Sequence, residues 1–368
     1  MQSSHIHQQA TERLQLMACL DFSGLALIEP VMHELHQLIA FDTGVYFHPD
    51  ASGALDAYIE PSVAREWMHR YFDPQMAALE HEVVNYSSHD FAAAVRHEHG
   101  VRVMEQLISV PRSVFVRSDF YNQVARPSEL QDFLSLVLRT PQGRGLGSLK
   151  LCRKPGAPCF TPADTAVLAG LEPWLARILQ TGELNAQDSV VCDNAMLVAT
   201  PQGRLLWSSP QADRLMALAF GLRWYRRSEL PPALQEVLLR LQSVQQPALR
   251  SSKNLSSALP QLELYNASGS FTLRTTQMAD AKGEGRAVGI HITQRVPRVA
   301  HLLSALRALK LPQRQYELAY WLVRGLSEEQ IATRMGISAN TATYHRRQIY
   351  TRLGVKSRKE LQGLLLAP

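Results

Sequence analysis

The side chains best suited to chemistry lie in the last sixth of the chain. Asn340, Thr343, Tyr344, Arg347 and Thr351 fall at positions i, i+3, i+4, i+7 and i+11, which places them on one face of a helix. An arginine can donate two hydrogen bonds to guanine, and a threonine methyl or tyrosine ring can pack on the thymine methyl group. The pattern therefore predicts a helix that reads base edges in the major groove of DNA.

Basic and hydroxyl side chains flank this face and can hold phosphates. The predicted DNA contacts are Ser338, Asn340, Thr341, Thr343, Tyr344, Arg346, Arg347, Arg352 and Lys356. Residues 301–368 hold 11 Lys and Arg against 4 Asp and Glu, a net charge of +7. The whole chain is +5, so residues 1–300 sum to −2, which is 5 minus 7. Such a local excess favours binding to a polyanion, although a small helical bundle with a solvated basic face is the alternative.

The elements that must position these side chains are four short helices. Gly325, Gly336 and Gly354 end successive apolar runs, as C-terminal glycines do. Ser327 with Gln330, three residues on, is a capping box that starts the second helix. Two short helices joined by a glycine-containing turn predict a helix-turn-helix, whose second helix enters the major groove.

This region resembles the LuxR/NarL-type DNA-binding domain. The matching residues are Leu311, Arg314, Glu317, Gly325, Leu326, Ser327, Ile331, Ala332, Ile337, Ser338, Thr341, His345, Ile349, Tyr350, Leu353, Gly354, Val355, Ser357, Arg358, Glu360 and Leu361. The resemblance implies that the third helix reads DNA and that the fourth pairs two subunits, through the apolar residues Leu361, Leu364 and Leu365. Pro312-Gln313 and Ala342 depart from the usual Thr-Pro and Val of the family.

The upstream residues are too many for one ordinary domain. Residues 1–10 are polar and predict a disordered tail. The pattern from residue 11 to 153 predicts an α+β module. It has helical spacing over 11–40 and 62–85, strand patterns near 41–47 and 55–59, an extended segment at 111–117 and a hairpin over 132–153. Thr161-Pro162 then starts a helix. Residues 11–182 resemble GAF-type domains.

A second module follows the polar residues 181–189. Residues 183–295 resemble a PAS domain. The resemblance consists of strand patterns at 195–200 and 204–209, a helix from Pro210, and later strands near 262–265, 270–276 and 287–292. Residues 296–368 then form the DNA-binding domain. The expected fold is α+β and multidomain, with GAF-like and PAS-like sensor modules before an all-α four-helix LuxR-type domain.

Other constellations give weak support for chemistry. Cys152 and Cys159 could form a redox disulfide, but two ordinary thiols are favoured. The histidines His5, His7, His89, His97 and His99 lack the spacing of a metal site. Asp21 alone does not make a phosphorylated receiver domain. No hydrolase, NTPase or dinucleotide motif occurs, so we expect no catalysis, metal or cofactor.

The expected function is a cytoplasmic, homodimeric transcription regulator that binds a pseudo-palindromic operator in double-stranded DNA. No apolar run is long enough for a membrane span. A small molecule sensed upstream would control it, or the upstream modules would serve only dimerisation or protein contacts. Trp67, Tyr71, Asp73 and Pro74 are spaced too closely to match the pocket of acyl-homoserine-lactone receptors, so that ligand is not inferred.

Overall fold

The structure of the chain is a computed structural model. The residues that the structure describes are 2–20, 23–50, 53–60, 71–180, 189–221, 224, 228–243, 260–279 and 286–366. The polar segment predicted at 181–189 and the start of the helix predicted at 62–85 lie mostly outside them.

The first sheet has five antiparallel strands in the order β2-β1-β5-β4-β3. The strands are β1 (Thr43–Pro49), β2 (Leu55–Ile59), β3 (Val101–Val103), β4 (Asp132–Arg139) and β5 (Gly145–Arg153). Alternation along β4 sends Leu134, Leu136 and Leu138 to one face and Phe133 to the other. The sheet therefore has an apolar core on both faces, and the predicted hairpin over 132–153 is confirmed.

Three long helices cover the leucine face of this sheet: α1 (Gln2–Ala18), α2 (Ile28–Leu38) and α7 (Pro162–Leu179). Thr161 caps α7 as predicted, because its hydroxyl accepts from the Asp164 backbone N–H. The disordered tail predicted for residues 1–10 is wrong, since α1 begins at Gln2 and Ala10 is fully buried.

Short helices cover the opposite face. They are α3 (Pro74–His81), α4 (Phe91–His97), α5 (Met104–Leu107) and α6 (Arg112–Phe115), followed by one π-helical turn (Tyr121–Ala125). The extended segment predicted at 111–117 is wrong. Pro111 precedes a helical turn there, which buries Phe115.

The second sheet is also antiparallel and five-stranded, in the order β7-β6-β10-β9-β8. Its strands are β6 (Ser189–Ala199), β7 (Leu205–Trp207), β8 (Gln261–Asn266), β9 (Gly269–Ala279) and β10 (Arg286–Pro297). Helices α8 (Pro210–Phe220) and α9 (Pro232–Ser243) pack on one face and enclose a separate core. The strands and the helix from Pro210 are those predicted.

The C-terminal region is helical. After α10 (Arg298–Ala308) come α11 (Gln313–Arg324), α12 (Glu328–Met335), α13 (Ala339–Leu353) and α14 (Arg358–Leu366). The capping box of Ser327 and Gln330 is present, and Gly325, Gly336 and Gly354 have the positive φ angles predicted for helix ends. The four predicted helices are confirmed.

The helical domain packs against the first sheet's helical layer. Apolar residues of α1, α2, α7, α10 and α11 form one continuous core. At its edge, the guanidinium of Arg13 in α1 lies 2.8 Å from the carboxylate of Glu34 in α2. Arg334 in α12 donates a hydrogen bond to the carbonyl of Cys19 at 3.4 Å. The first and last segments of the chain are therefore in direct contact.

Candidate nucleic-acid interface and buried cavity

Helix α13 begins after the N-cap residue Ser338, ends before Gly354 and packs on its neighbours through two buried side chains. The Ser338 hydroxyl accepts from the backbone N–H of Thr341 at 3.1 Å and caps its start. Ala342 and Ile349 are fully buried against the neighbouring helices. The opposite side of the helix is consequently turned to solvent, with Asn340, Arg347 and Thr351 exposed.

Tyr344 is the largest side chain on the exposed face, with 57% of its surface accessible. The Gln348 side-chain amide donates a hydrogen bond to its hydroxyl at 2.5 Å. This places an aromatic ring next to Arg347, as the sequence predicted, and orients it along the helix.

Two of the predicted contacts are engaged within the domain. The first residue of α12, Glu328, accepts from the Thr343 hydroxyl at 2.6 Å and forms a short ion pair with Arg346. The Arg346 guanidinium carbon lies 5.8 Å from the centre of the Tyr350 ring. Both side chains are partly buried, so Glu328 turns them towards the protein.

The flanking residues are placed at the helix ends. The Ser338 and Thr341 hydroxyls hydrogen-bond each other at 2.8 Å. Arg352 is exposed and donates to the Lys310 carbonyl at 3.3 Å, while Lys356 is exposed beyond Gly354. Six of the nine predicted residues are therefore exposed around α13, namely Ser338, Asn340, Tyr344, Arg347, Arg352 and Lys356, whereas Thr343 and Arg346 are engaged by Glu328.

The three leucines predicted to pair subunits have different environments. Leu361 and Leu365 are buried in the core of their own chain. Leu364 is 49% exposed on the other side of α14. Of the three, Leu364 is the side chain with a large part of its surface accessible to solvent.

A cavity of about 120 Å³ lies between the first sheet and its short helices. Aromatic side chains form much of its wall: Phe47, Tyr71, Tyr86, Phe91, Phe115, Phe120 and Phe133. A single water needs only about a tenth of this volume. No ligand-binding residues could be predicted from the sequence, because the wall comes from elements spread between Asp42 and Lys154 that the fold brings together.

Three charged side chains converge inside this cavity. Lys150 projects from the central strand β5, and its Nζ donates to the Ser88 hydroxyl at 2.9 Å. The Glu80 carboxylate accepts from the Tyr71 hydroxyl at 2.9 Å and from Ser87. Glu98 is only 7% exposed, and its burial raises the pKa of its carboxyl group. The cavity is thus apolar with a small polar region.

The cysteines and histidines are placed mainly by packing. Cys152 lines the cavity, and burial raises the pKa of its thiol to about 12. Cys159 is exposed, and both are free thiols. His97 stacks on Tyr86 with ring centres 4.9 Å apart. Among the described residues, no three His, Cys, Asp or Glu side chains converge on a possible metal position.

The helices around α13 define a helix-turn-helix domain of the class that binds DNA. Comparison with protein families identifies which one: residues 309–364 match the family described as "Bacterial regulatory proteins, luxR family". The four C-terminal helices are therefore a LuxR-family domain.

Solved structures give more distant likenesses. Escherichia coli SdiA is 13% identical, with 96% of this chain and 94% of that chain covered and a TM-score of 0.30. The Vibrio cholera VqmA–ligand–DNA complex is 15% identical, with 48% and 82% covered and a TM-score of 0.22. The E. coli DhaR(N)–DhaL complex is 12% identical, with 79% and 90% covered and a TM-score of 0.23. A search of curated proteins found no significant match.

Within the described parts of the chain, no helix is both long and apolar enough to cross a bilayer.

Proposed function

We propose that this chain is a homodimeric, sequence-specific transcription regulator that acts in the cytoplasm and is controlled by a small molecule. The exposed, cationic face of α13 within a LuxR-family domain carries the DNA-binding part of the proposal. Arg347 and Tyr344 would contact base edges in the major groove. Arg352 and Lys356 would contact phosphates on either side.

The cavity supports control by a small molecule. It combines aromatic walls with a few polar groups, which is the usual composition of a ligand site. We propose that residues 11–182 are GAF-like and 183–295 PAS-like, because each holds a five-stranded antiparallel sheet with helices packed on it. The first module would be the one that senses.

The second sheet supports a different role for the second module. Its outer face exposes Trp207, at 67%, together with Met196 and Met278. Gly289 lies between the two methionines, so the three apolar side chains share one face. An exposed apolar face of this kind favours contact with another protein surface. This module would therefore serve dimerisation, in agreement with the alternative that part of the upstream region acts without a ligand.

Selection of duplexes from a random DNA pool with the full chain tests the DNA-binding proposal. The expected product holds two inverted half-sites, with centres one helical turn, about 10 base pairs, or a multiple of it apart. A pool without enrichment would contradict sequence-specific binding. Native mass spectrometry of the purified full chain would report the dimer mass and any small molecule retained in the cavity.

A further inference from the structure

The central strand of the first sheet places a cation in the middle of an aromatic cavity. Lys150 lies opposite Val45 of β1 and Ser135 of β4 in the strand register. Its ammonium lies 5.1 Å from the centre of the Phe47 ring and 5.4 Å from that of Phe133. Two aromatic faces stabilise the charge by cation–π contact and position it at the cavity wall.

The Lys150 ammonium has hydrogen-bonding capacity beyond these contacts. An ammonium carries three N–H donors, and Ser88 accepts from one of them. The flanking phenyl rings of Phe47 and Phe133 offer π faces and no lone pair. A molecule in the cavity that carries an oxygen or nitrogen acceptor would therefore gain a charge-assisted hydrogen bond from Lys150.

Two acidic side chains in the same cavity decide which charge the ligand carries. Glu80 and Glu98 both line the wall with Lys150. The other cations of the wall, Arg153 and Lys154, are paired with Asp164 and Glu129. An anionic ligand would therefore be attracted by the Lys150 ammonium alone, repelled by the acids and stripped of its hydration. A cationic ligand would be repelled by Lys150. An uncharged acceptor gains the hydrogen bond and avoids both costs.

The size of the cavity limits the ligand further. A buried apolar cavity of roughly 150 Å³ accommodates benzene, and the present cavity is about 120 Å³. The aromatic walls also favour offset stacking with a flat ring. A molecule built on one ring fits both observations.

We propose that the cavity binds an uncharged, single-ring molecule whose carbonyl or ring-nitrogen acceptor receives a hydrogen bond from Lys150. This inference rests on the proposed sensing function and adds to it the class of ligand and the residue that selects it. Lys150 is thereby the specificity-determining residue of the site.

Four probes of nearly equal size separate the contributions: toluene, acetophenone, benzoate and benzylamine. Ligand-observed NMR titrations of the full chain at pH 7.5 give the dissociation constant of each. Acetophenone should bind at least about tenfold more tightly than toluene, although toluene is the more hydrophobic of the two. Benzoate and benzylamine should bind more weakly than acetophenone.

Lys150→Met removes the donor and keeps a flexible side chain of similar length between the two rings. It should weaken the binding of acetophenone at least about tenfold, which corresponds to about 1.4 kcal/mol. The affinity for toluene should stay unchanged or increase. Lys154→Met is the matched control, because this lysine lines the same cavity but its Nζ is paired with Glu129 at 3.0 Å. Lys154→Met should leave the affinities for acetophenone and toluene unchanged.

The outcomes distinguish this inference from the proposed function. If none of the four probes binds, the cavity does not act as a site for ring-sized molecules, and both fail. If toluene binds as well as acetophenone in the parent chain, or if benzoate binds best, the inference about Lys150 is wrong. The proposal that the cavity binds a small molecule would still hold. The parent ranking decides the question even if Lys150→Met folds poorly.

Discussion

Arg346 and Arg347 are adjacent on α13, but the structure predicts opposite roles for them in DNA binding. Arg346 is turned towards Glu328, and its Nε is buried without a partner among the described atoms. Arg347 is exposed on the face that carries Tyr344. We therefore predict that Arg347→Gln weakens specific binding and that Arg346→Gln hardly changes it, although each removes one positive charge.

The magnitudes follow from the contacts. A lost arginine–base contact costs about 1–3 kcal/mol and relaxes preference at one base pair. Each ionic contact with a phosphate contributes about 0.9 to the slope of log K against log salt concentration. Arg346→Gln should leave this slope unchanged. It should reduce the free energy of DNA binding by less than about 0.5 kcal/mol, which is in the range of a partly exposed ion pair.

Glu328→Gln gives the converse perturbation. It weakens the ion pair, so Arg346 becomes free to reach a phosphate and the slope should steepen by about 0.9. Glu329→Gln is the matched control. It makes the same charge change at the next residue, which is exposed. It should alter the slope less, because it releases no arginine.

Fluorescence anisotropy titrations at 50–200 mM salt, with a duplex selected by the parent chain, measure both quantities. A loss at Arg346→Gln as large as that at Arg347→Gln would refute the role assigned to Glu328. An equal slope for Glu328→Gln and Glu329→Gln would refute the release of Arg346.

Three further predictions concern the leucines, the cavity acid and the thiols. Leu364→Glu should keep the fold and weaken dimerisation, whereas Leu361→Glu should cost several kcal/mol of folding free energy by burying a charge; thermal unfolding and sedimentation distinguish them. Glu98 has a raised pKa in the folded state, so its stabilising contribution is present below the unfolded pKa and is lost as pH rises through the folded pKa. Glu98→Gln should therefore gain melting temperature relative to the parent as the pH rises above 4.5, the ordinary pKa of the group, and a difference that is the same below and above this pH would contradict the reasoning. Iodoacetamide at pH 8 should label Cys159 well before Cys152, whose thiol pKa is about 12; peptide mass spectrometry showing equal rates would overturn the cavity placement.

The DNA-binding domain was predictable because its signals are local. A cap at Ser327 or Ser338 and a glycine at 336 act within one turn of helix, and apolar spacing fixes which side is buried. What the sequence did not show is the partner of Arg346. Glu328 lies 18 residues earlier on another helix, and its contact depends on the angle between α12 and α13.

The cavity could not be predicted for a related reason. Phe47, Lys150 and Glu98 come from three distant segments of the sequence. Phe47 on β1 and Lys150 on β5 become neighbours because the strand order is β1-β5-β4, which the sequence does not show. The spacing of Leu14 and Met17 predicted the second half of α1, but its first turns were missed. They are mostly glutamine, serine and histidine, so the buried Ala10 has no adjacent apolar residues in the sequence that would reveal a helix.

The two faces of the first sheet give the ligand and the DNA-binding domain one shared element. On β1, Phe47 faces the cavity while its neighbour Tyr46 faces the helical layer. A Cβ at position 147 would lie 2.3 Å from the Tyr46 ring, so β5 holds that ring closely. Tyr46 belongs to the core that continues through α1 into α11.

This continuity sets a condition on how a ligand can act. A ligand shifts DNA binding only by the difference between its affinities for two arrangements of the chain. The two arrangements would differ in the contact of α1 with α11 and α12. This contact consists of the Arg334 hydrogen bond to Cys19 and of the packed core, and it joins segments from opposite ends of the sequence. A ligand held by Lys150 on β5 would influence it by moving β5 and β1 against α1, since close-packed layers transmit displacement rather than absorb it. Cavity binding and DNA binding would then be reciprocal: the operator duplex should change the affinity for acetophenone by the same factor as acetophenone changes the affinity for the duplex.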